Sequence, residues 1–213
     1  RDFLATNVPR HVLAPLENWL QGGMAASKER LGRSWGDLYH VQPIWNFWIG
    51  ASIAGVDCVG AMIPSVDRVG RLFPLVIIAH ASPGEAAFAA WHNFLTSDWL
   101  LTVHERLLLA LADDAPEDQI LLIEGLSDPE AASEPMPDTA LRVGNGIRVF
   151  LSDSSLAKVT ETITRVHAIT GDAARSIWWT AGSVIVPAQV ASFIGMPGLE
   201  FMADMMSRDG TGK

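Results

Sequence analysis

The period of the hydrophobic positions changes several times along the chain, and each change marks an element. Pro15 reads as part of a first helical turn. After it, Leu16, Trp19, Leu20, Met24 and Leu31 recur every three to four residues as one buried helical stripe. Gly22 and Gly23 interrupt that stripe at about 1 kcal/mol each relative to alanine, so tertiary packing has to hold this helix. Three runs rich in branched and aromatic residues follow at 44–49, 53–63 and 72–79. Turn formers separate them, and they read as an antiparallel meander.

Ser82, Pro83 and Glu85 form a capping box, which predicts a helix with Phe88, Trp91 and Leu95 on its buried face. Ser97 caps a second helix, with Leu100, Leu101, Leu107, Leu108 and Leu111 directed to the core. Residues 127–138 are rich in proline and acidic side chains and read as a long exposed loop. Beyond it, Leu156, Val159, Ile163 and Val166 repeat as a helical stripe, two strand-like runs occupy 175–180 and 189–194, and Pro197 opens a last helix with Leu199, Met202 and Met206 inward. This order predicts an α/β protein of the α+β kind: a largely antiparallel sheet of about five or more strands covered by helices, in one domain over residues 1–213.

Composition narrows the function. Apolar residues make up 49% of the chain and charged residues 18%, which supplies a core and excludes wholesale disorder. A net charge of -9 with no dense basic stretch excludes a phosphate-tracking surface, so nucleic acid is not an expected partner. Cys58 has no second cysteine to pair with, as in proteins of a reducing compartment. No apolar run reaches about 18 residues and no signal-peptide pattern opens the chain, so the expectation is a soluble, cytoplasmic protein without membrane insertion. The chain starts at Arg1 with no methionine, and a few native residues are expected to precede it.

The densest polar cluster is Ser65, Asp67, Arg68 and Arg71, on the turn between two apolar runs. Two guanidiniums there offer forked donors to a carboxylate or phosphate, as in an acidic peptide; the alternative is that Asp67 pairs with an arginine and merely shapes the turn. A hydrolase or phosphatase-like enzyme would need Ser65 as nucleophile and a histidine as base. No glycine-flanked elbow surrounds Ser65, and the six histidines are scattered without metal-binding spacing. The residues therefore assign no catalytic group, metal or cofactor.

Gly144 and Gly146 around Asn145 read as a tight turn, and Asp113, Asp114, Glu117 and Asp118 as a solvated helix start. Trp178 and Trp179 are adjacent, so on a strand they point to opposite faces. Either one of them anchors a partner or both lie under helices, and Trp45 and Trp48 pose the same question.

Four stretches together resemble the TagF family, accessory proteins of bacterial type VI secretion, and the resemblance runs over nearly the whole chain. The start, Arg1-Asp2-Phe3, is similar to the end of the family's N-terminal glycine-aspartate-phenylalanine motif, with Trp19-Leu20 at the usual distance behind it. Pro43-Ile44-Trp45-Asn46-Phe47 resembles a second motif, although Asn46 stands where the family often has arginine. The most specific match runs from Met62-Ile63-Pro64-Ser65-Val66-Asp67-Arg68-Val69-Gly70-Arg71 through Phe73-Pro74-Leu75. Ser176-Ile177-Trp178-Trp179-Thr180, with Gly182 and Ser183, is similar to a late tryptophan-pair motif.

The resemblance implies a longin-like, helix-covered sheet that lacks its extreme N-terminal strand here. It also implies a non-catalytic regulator that restrains assembly or firing of the secretion apparatus after translation. Its partner would be the forkhead-associated scaffold protein, with the system's threonine phosphatase as a possible second. A structural subunit of the apparatus is the remaining alternative. The partner-binding candidates are Ser65, Asp67, Arg68, Arg71, Trp45, Trp178 and Trp179.

Overall fold

The computed structural model describes residues 8–67, 69–81, 98–112, 122–126, 140–143, 146–151 and 175–207. The predicted helix over 82–95, the acidic loop, the carboxylate cluster at 113–118 and the stripe from Leu156 to Val166 lie outside those residues.

The chain begins with α1 (Arg10–Leu31), a 3-10 turn (Gly32–Ser34) and α2 (Trp35–Val41). Strand β1 (Trp45–Ile49), the helical turn α3 (Ala51–Ala54), β2 (Cys58–Ile63) and β3 (Leu75–His80) follow. Then come α4 (Asp98–Leu109), the hairpin β4 (Ala140–Val143) and β5 (Gly146–Phe150), strands β6 (Arg175–Thr180) and β7 (Gln189–Ile194), and α5 (Phe201–Met206). The seven strands among the described residues join one sheet in the order β3-β2-β1-β6-β7-β5-β4, and every neighbouring pair is antiparallel.

Alternation along the strands sorts their side chains into two cores, one on each face of the sheet. Trp45, Phe47, Ile49, Met62, Trp178 and Phe193 face α1, α2 and α5, where Leu16, Trp19, Leu20, Phe201 and Met202 meet them. Val59, Ala61, Ile63, Ile177, Trp179 and Val190 face Trp99, Leu100, Val103 and Leu107 of α4. The sheet is therefore covered on both faces, which explains why its central strands read as continuous apolar runs.

The predicted stripe of α1 is buried as expected. Its glycines have a packing reason: a Cβ on Gly22 would come within 2.9 Å of Leu199 Cδ2, and one on Gly23 within 3.1 Å of Met202 Cβ. Their absence lets the last helical segment press against α1.

Several boundaries differ from the sequence reading. Helix α1 starts at Arg10, where Val12 and Leu13 donate to Pro9 O, so Pro15 sits in the second turn. The run 53–63 is not one strand. Asp57 Oδ1 accepts from Ala51 N at 2.7 Å, and Gly55 at φ 82° ends the helical turn before β2 begins. Strand β3 begins at Leu75 because Pro74 has no N–H for the ladder.

Of the five leucines predicted to face the core only Leu100 and Leu107 are buried; Leu101 and Leu108 on α4, and Leu111 just past its end, are exposed. The buried arc of α4 runs from Trp99 through Val103 and Leu107 to Leu100, and the step of about 100° per residue carries Leu101 and Leu108 beyond its edge. Helix α5 starts at Phe201, not at Pro197, and Leu199 is 45% exposed. The β4–β5 hairpin was not anticipated, although its two alternating runs flank the residues read as a tight turn; Val143 pairs with Gly146 across it.

Candidate functional site

The signature motif forms the connection from β2 to β3, and an isolated bridge between Val66 and Leu72 pinches it into a closed loop. Asp67 organises the interior. Its Oδ1 accepts from the backbone N–H of Val69 at 3.0 Å and of Arg71 at 2.8 Å, and Arg71 Nε donates to Oδ2 at 2.5 Å. The main chain closes the same ring: Asp67 N donates to Arg71 O, Gly70 N to Asp67 O, and Phe73 N to Ser65 O. Gly70 supplies φ 82°, a region where a side chain would be strained.

Those donors, the Arg71 amide first, hold the Asp67 carboxyl below its ordinary value. Yet the pair faces solvent, with the Arg71 side chain 62% exposed and that of Asp67 36% exposed. Arg68 lies outside the described residues.

The root of the loop is fixed from below. Tyr39 of α2, fully buried, donates its hydroxyl to Ser65 O at 3.1 Å and accepts from Ser65 N at 3.0 Å. Burial pushes the phenol well above its usual range, so it remains a donor at all ordinary pH values. Ser65 is thus gripped by its backbone. Among the described residues no histidine hydrogen-bonds to Ser65: His80 Nδ1 meets Ala81 O, and His104 Nε2 meets Asn46 Oδ1 at 2.6 Å.

The structure separates the tryptophan candidates from this loop and corrects them as surface anchors. Trp45 and Trp178 are 0% exposed and Trp179 is 2% exposed. Trp178 lies 4.5 Å from Trp19 and 5.3 Å from Phe47 by ring centroids, while Trp45 donates its Nε1 to Met205 O. Trp178 and Trp179 do point to opposite faces, but helices cover both. Covering both faces with helices is what removes them from solvent.

Sequence reasoning also missed a buried ion pair, Arg148 with Asp204, joined from the surface by Arg30. Arg148 Nη1 of β5 lies 3.3 Å from Asp204 Oδ2 of α5, and Arg30 of α1 lies 3.2 Å from Asp204 Oδ1. Arg148 Nε also donates to Gln189 Oε1. Burial lowers the guanidinium's proton affinity while Asp204 raises it. The three charged residues are remote in sequence, and no local pattern pairs them.

No helix among the described residues is long and apolar enough to cross a membrane, and no group of three or more His, Cys, Asp or Glu among them could hold a metal ion. Fold and site together define an α+β domain, a seven-stranded antiparallel sheet enclosed by helices with a self-bonded, solvent-facing loop at one end. The sequence matches the family described as the TagF N-terminal domain, type VI secretion system-associated, over residues 1–122, and the chain belongs to that family. This match spans the loop and β1 to β3, while the Trp178–Trp179 pair lies beyond it.

The crystal structure of PA0076 from Pseudomonas aeruginosa PAO1 superimposes with a TM-score of 0.69 at 25% identity, covering 97% of this chain and 89% of that one. No curated protein matches the sequence.

Proposed function

We propose that the chain is a cytoplasmic, non-catalytic regulator that restrains assembly or firing of the type VI secretion apparatus after translation, by binding the forkhead-associated scaffold protein. The observation that supports this reading is the geometry of the signature loop. Its most distinctive residues neither build a reactive group nor fill the core; they hold one exposed conformation through Asp67. A loop ordered before binding loses less conformational entropy when a partner closes on it. The system's threonine phosphatase is a second partner in this reading, through the phosphorylation state of the scaffold.

Calorimetric titration of the chain against the scaffold, phosphorylated and unphosphorylated, tests the proposal. Saturable binding to either form supports it, and a difference between the forms identifies phosphate as part of the recognition. Absence of binding to both rejects it in favour of a structural role.

A further inference from the structure

The loop from β2 to β3 has a second foundation, outside the stretch that matches the family. Helix α5 spans six residues, Phe201–Met206, and every one of them is buried. It packs against α1 and α2, and its apolar side chains enter the core shared by Tyr39, Trp45 and Met62. A helix this short does not hold itself in water, so its neighbours have to fix it. Most of what it offers them is non-directional: Met202, Met205 and Met206 are flexible side chains that pack acceptably in many positions.

Directed bonds come from distant elements. The last carbonyls of a helix lack partners within it. Here Asp204 O accepts from Arg148 Nη2 of β5 at 3.2 Å, and Met205 O accepts from Trp45 Nε1 of β1 at 3.2 Å. Arg148 Nη1 also meets Asp204 Oδ2 at 3.3 Å, and its Nε donates to Gln189 Oε1 of β7, so one guanidinium ties α5 to two strands. Arg30 of α1 reaches Asp204 Oδ1 and Glu200 O.

Two routes lead from α5 to the root of the loop. Trp45 stands opposite Met62, near the end of the strand that runs into Ser65. Helix α2, which packs on α5, carries Tyr39, whose hydroxyl holds both backbone groups of Ser65. We infer that Arg148 and Trp45 are positioning residues: by fixing α5 in one register they set the pose in which the Ser65 root, and the Asp67–Arg71 ring built on it, is held. Arg148 and α5 lie beyond residues 1–122, so the loop in the matched stretch depends on residues outside it.

The test is native-state hydrogen exchange by NMR on Arg148→Lys and on Trp45→Phe. Lysine keeps a positive charge beside Asp204 but cannot reach Asp204 O, Asp204 Oδ2 and Gln189 Oε1 at once. Phenylalanine keeps an aromatic ring and removes the Nε1 donor. The amides of Ser65, Val69 and Arg71, which donate to Tyr39 Oη and to the Asp67 carboxylate, are expected to exchange about tenfold faster in each variant. Amides of the central strand β6 open with the whole domain and report global stability. If the β6 amides accelerate while the loop amides do not, or if all accelerate by one factor, the two residues only stabilise and the positioning role is overturned. Unchanged exchange at every site overturns it as well. If Arg148→Lys does not fold, Trp45→Phe decides alone by the same criterion. The pose of the loop is at issue here and not its partner, so failure leaves the regulatory reading standing.

Discussion

Trp178, on strand β6 of the sheet, and Asp67, on the loop from β2 to β3 within the stretch that matches the family, are satisfied in opposite ways. Trp178 is enclosed among aromatic rings, with its indole N–H lacking any acceptor among the described residues, so its whole contribution is packing. Asp67 contributes almost no packing; its carboxylate is saturated with local donors and faces water. A motif residue that stabilises by burial must fail when truncated. A motif residue that stabilises only its own loop can be altered without loss of the fold.

The largest effect that would break this contrast is on the core side. Trp178→Ala is expected to cost about 3–5 kcal/mol, through lost transfer energy and a residual cavity, as measured by denaturant unfolding. A cost below about 1 kcal/mol would mean the ring is not the packing element described. Asp204→Ala should cost about 3 kcal/mol or more in the same assay, because it leaves the buried Arg148 guanidinium uncompensated. Here the polar group behaves as the core does, since burial and not chemistry sets the penalty.

A smaller effect is expected from His104, which bonds Asn46 across α4 and β1 and whose proton affinity burial lowers. A base depressed in the folded state leaves stability intact above its ordinary value near 6.5. That stability is then lost as the pH falls through the lowered folded value. The acid-side decline of the denaturation midpoint should flatten in His104→Gln.

On the loop side the effects on the fold become smallest. Asp67→Ala should leave global unfolding nearly unchanged while the Val69 and Arg71 amides lose hydrogen-exchange protection. Acid should act in the same way. With the Asp67 carboxyl depressed in the folded state, its contribution is full above the ordinary carboxylate value and is lost as the pH falls through the lowered one. Arg71→Glu should alter melting least of all and yet abolish scaffold binding in the titration. A variant that unfolds instead would move this loop to Trp178's side of the comparison.

How far the sequence reached follows the same division. Strands β6 and β7 were legible to the residue, because short branched and aromatic runs between turn formers have no competing period. The β4–β5 hairpin was not, since its strands are short and one was hidden behind the turn that joins them. The Asp67–Arg71 pairing was legible as an alternative, because the partners are four residues apart.

By itself the sequence determined the elements with local causes: the stripe of α1, the alternation that sends Trp178 and Trp179 to opposite faces, and the polar turn between β2 and β3. Only the tertiary structure decided exposure. Whether a tryptophan on a strand is an anchor or core depends on a helix far away in the chain, here α1 over Trp178. The joining of Arg30, Arg148 and Asp204 likewise depends on strand order, which no local spacing encodes.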